Sequence, residues 1–498
     1  MAAWIWSLAI SAITFLHILH QWRRSLKKKK KLPPGPKGLP IIGHIHLLGK
    51  NPHQDFHRLA LKHGEIMHMR LGSLPIVVVS SPASAELVLK THDAVFSDRP
   101  HYQSTTRLTY DHRDVIFAPY GPYWRNMRKL CTLELLSGLK IDEFQPMRRA
   151  ELGLAVDSLK RAAGRGEVVD VSARVSGLVG DMNCLMVFGR KFDDRDLDER
   201  GFKAVIDETT RVAAQPNLGD YFPAVAPLDL QGLNRRVRKL SATFDGFLDR
   251  IIDDHVEKRV EKKMRSQDFV DIMMAIMESG EAGFDFDRRH IKAVLLDMLI
   301  GGIDTTATTV DWVMSELMRN PIVMKKLQKE IEEVVGSEQM VEKSHLSSLK
   351  YLDCIIKESL RLHPVAPLLA HAAHEDCKVA GFDIPNKTHV FVNVWAIGRD
   401  PNIWPDPETF CPDRFVRSNV DLRGRDFQLL PFGSGRRSCP GLLLGLTIVQ
   451  SVVAQLVHCF DWELPDGMLP SQLDMSENYG MVVTRVKHLR AIPSYRLH

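Results

Sequence analysis

The sequence predicts a mainly α-helical protein with small β-sheets, on three observations. Most of the chain after residue 50 carries apolar residues at helical spacing, interrupted by short loops. Runs rich in β-branched residues are short, the clearest being Leu74 to Ser80, closed by Ser81-Pro82 and followed by a helical pattern to Lys90. The longest helical pattern, His290 to Met318, is apolar nearly all round from Ala293 to Ile303 except at Asp297, as a buried helix must be. With 498 residues and 44% hydrophobic content, the chain can build one large core or two to three ordinary domains.

Charge and cysteine usage exclude several function classes. The net charge is +5, but residues 1–50 hold nine Lys/Arg and no Asp or Glu, leaving 57 basic against 61 acidic residues in the remainder. A body of that balance is not a nucleic-acid binder. The seven cysteines (131, 184, 354, 377, 411, 439 and 459) are widely spaced, without a C-x-x-C, which argues against a disulfide framework or a zinc ribbon and suits a reducing compartment.

Trp4 to Trp22 is almost continuously apolar, with tryptophans near both ends. As a helix it would rise roughly 28 Å, close to the hydrocarbon thickness of a bilayer. The basic run Arg23 to Lys31 follows at once, and by the positive-inside rule it holds the body in the cytosol. A cleaved signal peptide would place its charge before the apolar run instead. Residues 1–22 therefore read as a membrane anchor, 23–50 as a basic stop plus the proline-rich linker Leu32 to Pro40, and 51–498 as the cytosolic body.

In the body, Trp124 and Arg128 lie four apart on one helix face. Both offer only donors, so together they suit a carboxylate. Asn217 to Pro223 and Leu228 to Gly232 lie between two helical stretches and mix turn-forming with apolar residues. Within His290–Met318 sits Gly301-Gly302-Ile303-Asp304-Thr305-Thr306, poor helix formers kept inside a buried helix. The Thr305 hydroxyl can bond back to a carbonyl one turn earlier, opening a groove beside the Asp304 carboxylate. Glu358 and Arg361 are helix neighbours at i, i+3, and His363-Pro364 ends that helix. His371 and His374 form a weak i, i+3 pair with no third metal ligand nearby.

The most specific stretch is Phe432-Gly433-Ser434-Gly435-Arg436-Arg437-Ser438-Cys439-Pro440-Gly441. It sets one cysteine among glycines, after two arginines and just before the apolar run Leu442 to Val453. Cations, backbone N–H donors and a following helix N-terminus all favour a thiolate, a strong ligand for a soft metal. One axial thiolate on one metal points to iron in haem.

The matches at Phe432, Gly435, Arg437, Cys439 and Gly441 resemble the F-x-x-G-x-R-x-C-x-G loop of the cytochromes P-450, the haem-thiolate monooxygenases, and closest the plant microsomal type of specialised metabolism. That resemblance implies the P-450 fold after a single transmembrane helix, and haem b held by Cys439. It identifies Gly301 to Thr306 with the oxygen-binding motif, where Asp304 and Thr305 route protons, and Trp124, Arg128, His371 and Arg437 with contacts to the haem propionates. It identifies Glu358, Arg361 and Arg414 (in Phe410 to Phe415) with a Glu-Arg-Arg brace. One departure is Ala370-His371-Ala372, where many relatives carry Pro and Glu around the central residue.

The implied function is insertion of one oxygen atom from O2 into a small hydrophobic specialised metabolite, terpenoid or phenolic/flavonoid, at the endoplasmic reticulum. Gly433-Ser434-Gly435 is only a fragment of a dinucleotide fingerprint, so electrons are expected from a separate NADPH-cytochrome P-450 reductase or a cytochrome b-type donor, with Arg436 as a candidate docking contact. Expected cavity residues are Gln103 to Ala118, the Ile300 region, Val365 to Ala370 and Tyr479 to Val482, mostly apolar. Other classes are a haem-thiolate isomerase or dehydratase, which has no use for the Asp304-Thr305 pair, and a non-catalytic haem-binding or electron-transfer protein.

Overall fold

The computed structural model describes residues 30–192, 201–259 and 267–497. The anchor expected over Trp4–Trp22 and most of the basic run lie outside the described residues. The architecture is mainly helical, with one four-stranded sheet and three smaller ones among the described residues.

Six helices position the site: α1 (Pro122–Leu130), α2 (Val171–Phe188), α3 (Arg288–Gly302), α4 (Asp304–Arg319), α5 (Lys350–Leu362) and α6 (Leu442–Cys459). α4 is buried at every position from Thr306 to Met318 and packs against α2, α5 and α6. The α3–α4 stretch and α6 are each long and apolar enough to cross a bilayer, yet 56% and 67% of their apolar windows are buried inside the body, which makes them core helices. Asp287 caps α3, its carboxylate accepting from Arg289 N at 2.9 Å and His290 N at 3.2 Å. The predicted helix over His290–Met318 is thus present but interrupted at Ile303.

The main sheet combines β1 (Ile66–Leu71), β2 (Leu74–Val79), β3 (Leu368–Ala372) and β4 (His389–Asn393) in the order β1-β2-β4-β3. β2 is the predicted β-branched strand. It pairs antiparallel with β1 and parallel with β4, with Ile76 opposite His389.

The proline-rich segment lies along the β1 side of this sheet. His68 N donates to Pro34 O at 2.8 Å and His44 N to Arg70 O at 2.7 Å. A side chain at position 35 would begin 2.0 Å from the His68 carbonyl oxygen, so only glycine allows the approach. His44, one member of the sequence pair His44-x-His46, bonds Pro36 O at 2.9 Å and receives Arg70 N at 2.8 Å. These contacts cover the outer edge of β1, which would otherwise be an open template for another strand.

Candidate haem-thiolate site

Cys439 sits two residues before Gly441, the N-cap of α6. Its backbone N donates to Phe432 O at 2.8 Å, closing the loop. Its sulfur opens onto a cavity of about 320 Å³ with walls from α1, α2, α3, α4, the Val365–His371 segment and α6. The thiol is reached from the cavity and enclosed by protein elsewhere. Burial pushes its pKa up, against the Gly441 N–H, Arg128 and Arg99, which pull it down. A bound metal cation would reverse that balance and deprotonate the thiol.

The two arginines of the loop itself do not supply the expected cations at the sulfur. Arg436 turns outward to Asp93 at 2.6 Å. Arg437 is buried over the Trp124 ring at 4.1 Å and donates to the carbonyls of Ser97, Val115 and Ala118. Gly435 has φ +69°, and a Cβ there would lie 2.4 Å from Leu89 O. Its role is therefore backbone geometry and close approach, while Gly441 is the glycine whose amide meets the sulfur.

One end of the cavity gathers positive charge. Arg99, Arg128 and Arg437 line it together with His371 and Trp124. Arg99 is half-buried, its enclosed Nε has no partner among the described residues, and burial beside Arg128 lowers its pKa to about 10. Burial and the neighbouring Arg99 bring Arg437 down to about 9. Mutually repelling guanidiniums, one with an orphaned donor, are the complement of a buried dianion. The propionates of a haem whose iron meets Cys439 fit that description.

The individual contacts refine the expected donor set. Trp124 Nε1 donates to Val115 O at 2.9 Å, so the indole N–H is spent on the loop and does not share a carboxylate with Arg128. Arg128 Nη2 donates to Ser438 O at 2.7 Å. His371 Nδ1 bonds Phe96 O at 2.8 Å, which makes Nδ1 the protonated nitrogen and leaves Nε2 as an acceptor in the neutral ring. Burial, Arg99 and Arg437 push its pKa to about 3.

At the α3–α4 break, Thr305 Oγ1 donates to Gly301 O at 2.6 Å, the back-bond expected from the sequence. Thr305 lines the cavity with Gly301 and Gly302. Asp304 is half-buried at the start of α4 and is not part of the cavity wall.

Residues 33–490 match the cytochrome P450 family model. The chain is 49% identical over 480 residues to a cytochrome P450 of Panax ginseng, CYP736A12, covering 95% of each sequence. It is 41% identical to the phenylacetaldehyde oxime monooxygenase CYP71AN24 of Prunus mume, covering 94% of this chain and 90% of that one. It is 39% identical to the 3,9-dihydroxypterocarpan 6A-monooxygenase of Glycine max, covering 98% and 97%.

The chain belongs to the cytochrome P450 family.

P450s are monooxygenases that hold haem through a cysteine thiolate, and Cys439 is the residue placed to supply it. Of the other expected site residues of this P450, Phe432 and Gly441 lie in the cavity wall beside Cys439, whereas Gly435 supports the loop from behind. Glu358, Arg361 and Arg414 are brought together. Arg361 grips Glu358 through two bonds of 2.8 Å and donates to Gly398 O at 2.6 Å and Pro407 O at 2.7 Å. Arg414 Nε reaches Glu358 Oε1 at 3.0 Å, and Cys411 N donates to the same oxygen at 2.8 Å.

Val115, Ile116, Val365, Ala366 and Leu369 line the cavity as the sequence suggests. Tyr479 to Val482 do not. The following Val483 is tied by its N–H to Val365 O at 2.9 Å and through its carbonyl to Trp312 Nε1 at 3.0 Å, which leaves the preceding residues off the wall. Sequence reasoning missed Arg99 and Asn183. Arg99 is a loop arginine before a proline, and Asn183 one of several polar residues inside α2, so neither stands in a pattern that marks it.

Proposed function

We propose that this P450 is an endoplasmic-reticulum monooxygenase that hydroxylates or otherwise oxidises a small hydrophobic specialised metabolite, terpenoid or phenolic, with O2 and electrons from NADPH-cytochrome P-450 reductase or a cytochrome b-type donor. The observation that carries this reading is one cavity holding both the Cys439 sulfur and the Thr305 groove between mostly apolar walls. The relatives named for oxime and pterocarpan oxidation support the substrate class.

Haem bound through Cys439 would supply the activation of O2 and the oxygen transfer, thiolate donation favouring O–O cleavage. The protein's part is orientation, water exclusion and proton supply. Arg99, Arg128 and Arg437 would hold the propionates, with Trp124 positioning Arg437 and the 115–118 loop. His371 would join them only as the imidazolium, since its neutral ring presents an acceptor there. Thr305 would hold a proton donor at the cavity wall, with Asp304 one residue away to relay from outside. Glu358, Arg361 and Arg414 would brace the segment leading to the cysteine loop.

The proposed domains are an anchor over 1–22, a stop and hinge over 23–50, and a catalytic domain over 51–498. A groove beside the cysteine loop, lined by Arg125, Arg128, Lys129, Leu133 and Arg436, supports reductase docking there. Leu39, Ile41, Leu228 and Leu230 are exposed, on two segments that meet through Gly72 and Ser73 with Ile42 and Tyr221, which supports a body that rests on the membrane. The central test is spectroscopic. Cys439→Ser is expected to abolish the thiolate-type carbon monoxide spectrum, and Thr305→Ala to keep it while uncoupling NADPH consumption from product. A serine variant that retains the spectrum overturns the reading.

A further inference from the structure

Asn183 of α2 packs directly against the α3–α4 break. Its Nδ2 donates to Met298 O at 3.2 Å. A Cβ on Gly302 would lie only 2.1 Å from that nitrogen, so the amide fills space that glycine alone leaves open. The Met298 carbonyl also settles which end of the amide is which, because a flipped Asn183 would set oxygen against oxygen. Oδ1 is the end turned from Gly302, at 3.9 Å from the same Cβ position, and it has no donor among the described residues. Asn183 is 4% exposed and forms part of the cavity wall.

Neighbouring polar groups do not relieve this acceptor. Thr305 spends its hydroxyl hydrogen on Gly301 O, and Thr309 spends its own on Thr305 O at 2.8 Å. Asp297 accepts Val115 N at 2.7 Å, and its side-chain hydrogen bond is made with Asp114. The remaining wall nearby is Met186, Met298 and Phe269, which have no side-chain donor. A buried amide oxygen without a partner is costly, and the space it can reach is the cavity.

We propose that Asn183 Oδ1 is a binding site for an O–H donor, filled by a hydroxyl of an otherwise apolar substrate or by a water in its place. The inference rests on this cavity holding the P450 substrate, and it names what that substrate carries. A site built to bond a hydroxyl discriminates against the analogue that lacks one, since the polar partner is then stranded. Asn183 thus sets specificity without taking part in the oxidation.

The test uses the full-length, haem-loaded protein and two probes of similar shape, 1-naphthol and 1-methylnaphthalene. A thiolate-type carbon monoxide spectrum first establishes the haem site in the wild type, in Asn183→Leu and in Asn183→Ala, so failure of the P450 reading is seen separately. Spectral titration then gives the ratio of the two affinities in each protein. Comparing ratios between proteins cancels the differing hydrophobicity of the probes. The expected result is a loss of roughly tenfold in the preference for 1-naphthol in whichever variant retains the spectrum, the equivalent of one neutral hydrogen bond. If the ratio is unchanged and a wild-type crystal structure shows an ordered water bonded to Oδ1, the site holds water alone and the assignment of a substrate hydroxyl to Asn183 is overturned. An unchanged ratio with no water at Oδ1 overturns the proposal.

Discussion

At Gly302 the missing side chain matters as much as any present one. Alanine there would drive a methyl group into the Asn183 amide, which is held in turn by Met298 O. Overpacking of this kind costs typically about 1–3 kcal/mol. Gly302→Ala is expected to lower the denaturation midpoint by that order, and Asn183→Ala in the same chain to recover part of the loss. A double-mutant cycle on chemical denaturation measures the coupling, and strictly additive effects would remove Asn183 as the cause. This pair also shows what a sequence reveals at this scale. Cys439 and Thr305 were legible because each sits in a stretch whose glycines, prolines or β-branched residues make no sense without a site. Asn183 and Arg99 became visible only when the fold placed them, because one polar residue in a helix and one arginine in a loop are unremarkable until their neighbours are known.

Two contacts between elements govern how the cavity is held. In the brace, Glu358 is the only carboxylate contacting Arg361 and Arg414 among the described residues, and the Glu358 and Arg361 side chains are fully buried. Glu358→Ala strands the Arg361 charge, a change worth about 3–5 kcal/mol. It is expected to prevent accumulation of haem-loaded protein at physiological temperature, whereas Arg414→Lys, which keeps a cation at the member 12% exposed, keeps the carbon monoxide spectrum with a lower thermal midpoint. Equal behaviour of the two variants would contradict a brace centred on Glu358. The second contact joins the 114–118 loop to α3. Asp114 is fully buried, one of its oxygens accepts Phe117 N at 2.8 Å, and its carboxyl shares a side-chain hydrogen bond with that of Asp297. Beside it lies Asp297, which holds Val115 N. Burial raises both carboxyls, Asp114 to about 6 against Arg437, and Asp297 further through Asp114 itself. Arg99, Tyr123 and Cys131 are the other titratable groups facing the pair. The folded protein therefore binds more protons than the unfolded chain from the ordinary carboxyl range to about pH 6 and beyond. Stability falls as pH rises across that window. Asp114→Asn, whose amide can donate to Asp297, is expected to flatten this part of the profile of denaturation midpoint against pH, and an unaltered slope would remove the pair as its source. The sequence marked Asp297 only as an exception in an apolar run, because its partner lies 183 positions away.

For the whole molecule, the open matter is how the body meets a membrane. The helical core, the β2 strand and the cysteine loop follow from local patterns, but the position of the proline-rich segment does not, since prolines alone specify only stiffness. In the structure that segment brings Leu39 and Ile41 to the corner where Ser73 N donates to Tyr221 O at 2.9 Å and Gly72 N to Ile42 O at 3.1 Å. The chain after Tyr221 then presents Leu228 and Leu230, each 66% exposed, and Ile41 is 77% exposed. These apolar side chains are open to solvent among the described residues, and a bilayer surface would bury them at about 1.5–3 kcal/mol each. Protein lacking residues 1–29 is thus expected to retain its carbon monoxide spectrum and still float with phospholipid vesicles. Converting Ile41, Leu228 and Leu230 together to glutamine should release it to the soluble fraction with the spectrum intact. The same triple substitution in the full-length chain should leave the protein membrane-bound if residues 1–22 are a true anchor. Flotation of the shortened triple variant would show that this corner does not carry the attachment, and release of the full-length one would show that the N-terminal run does not span.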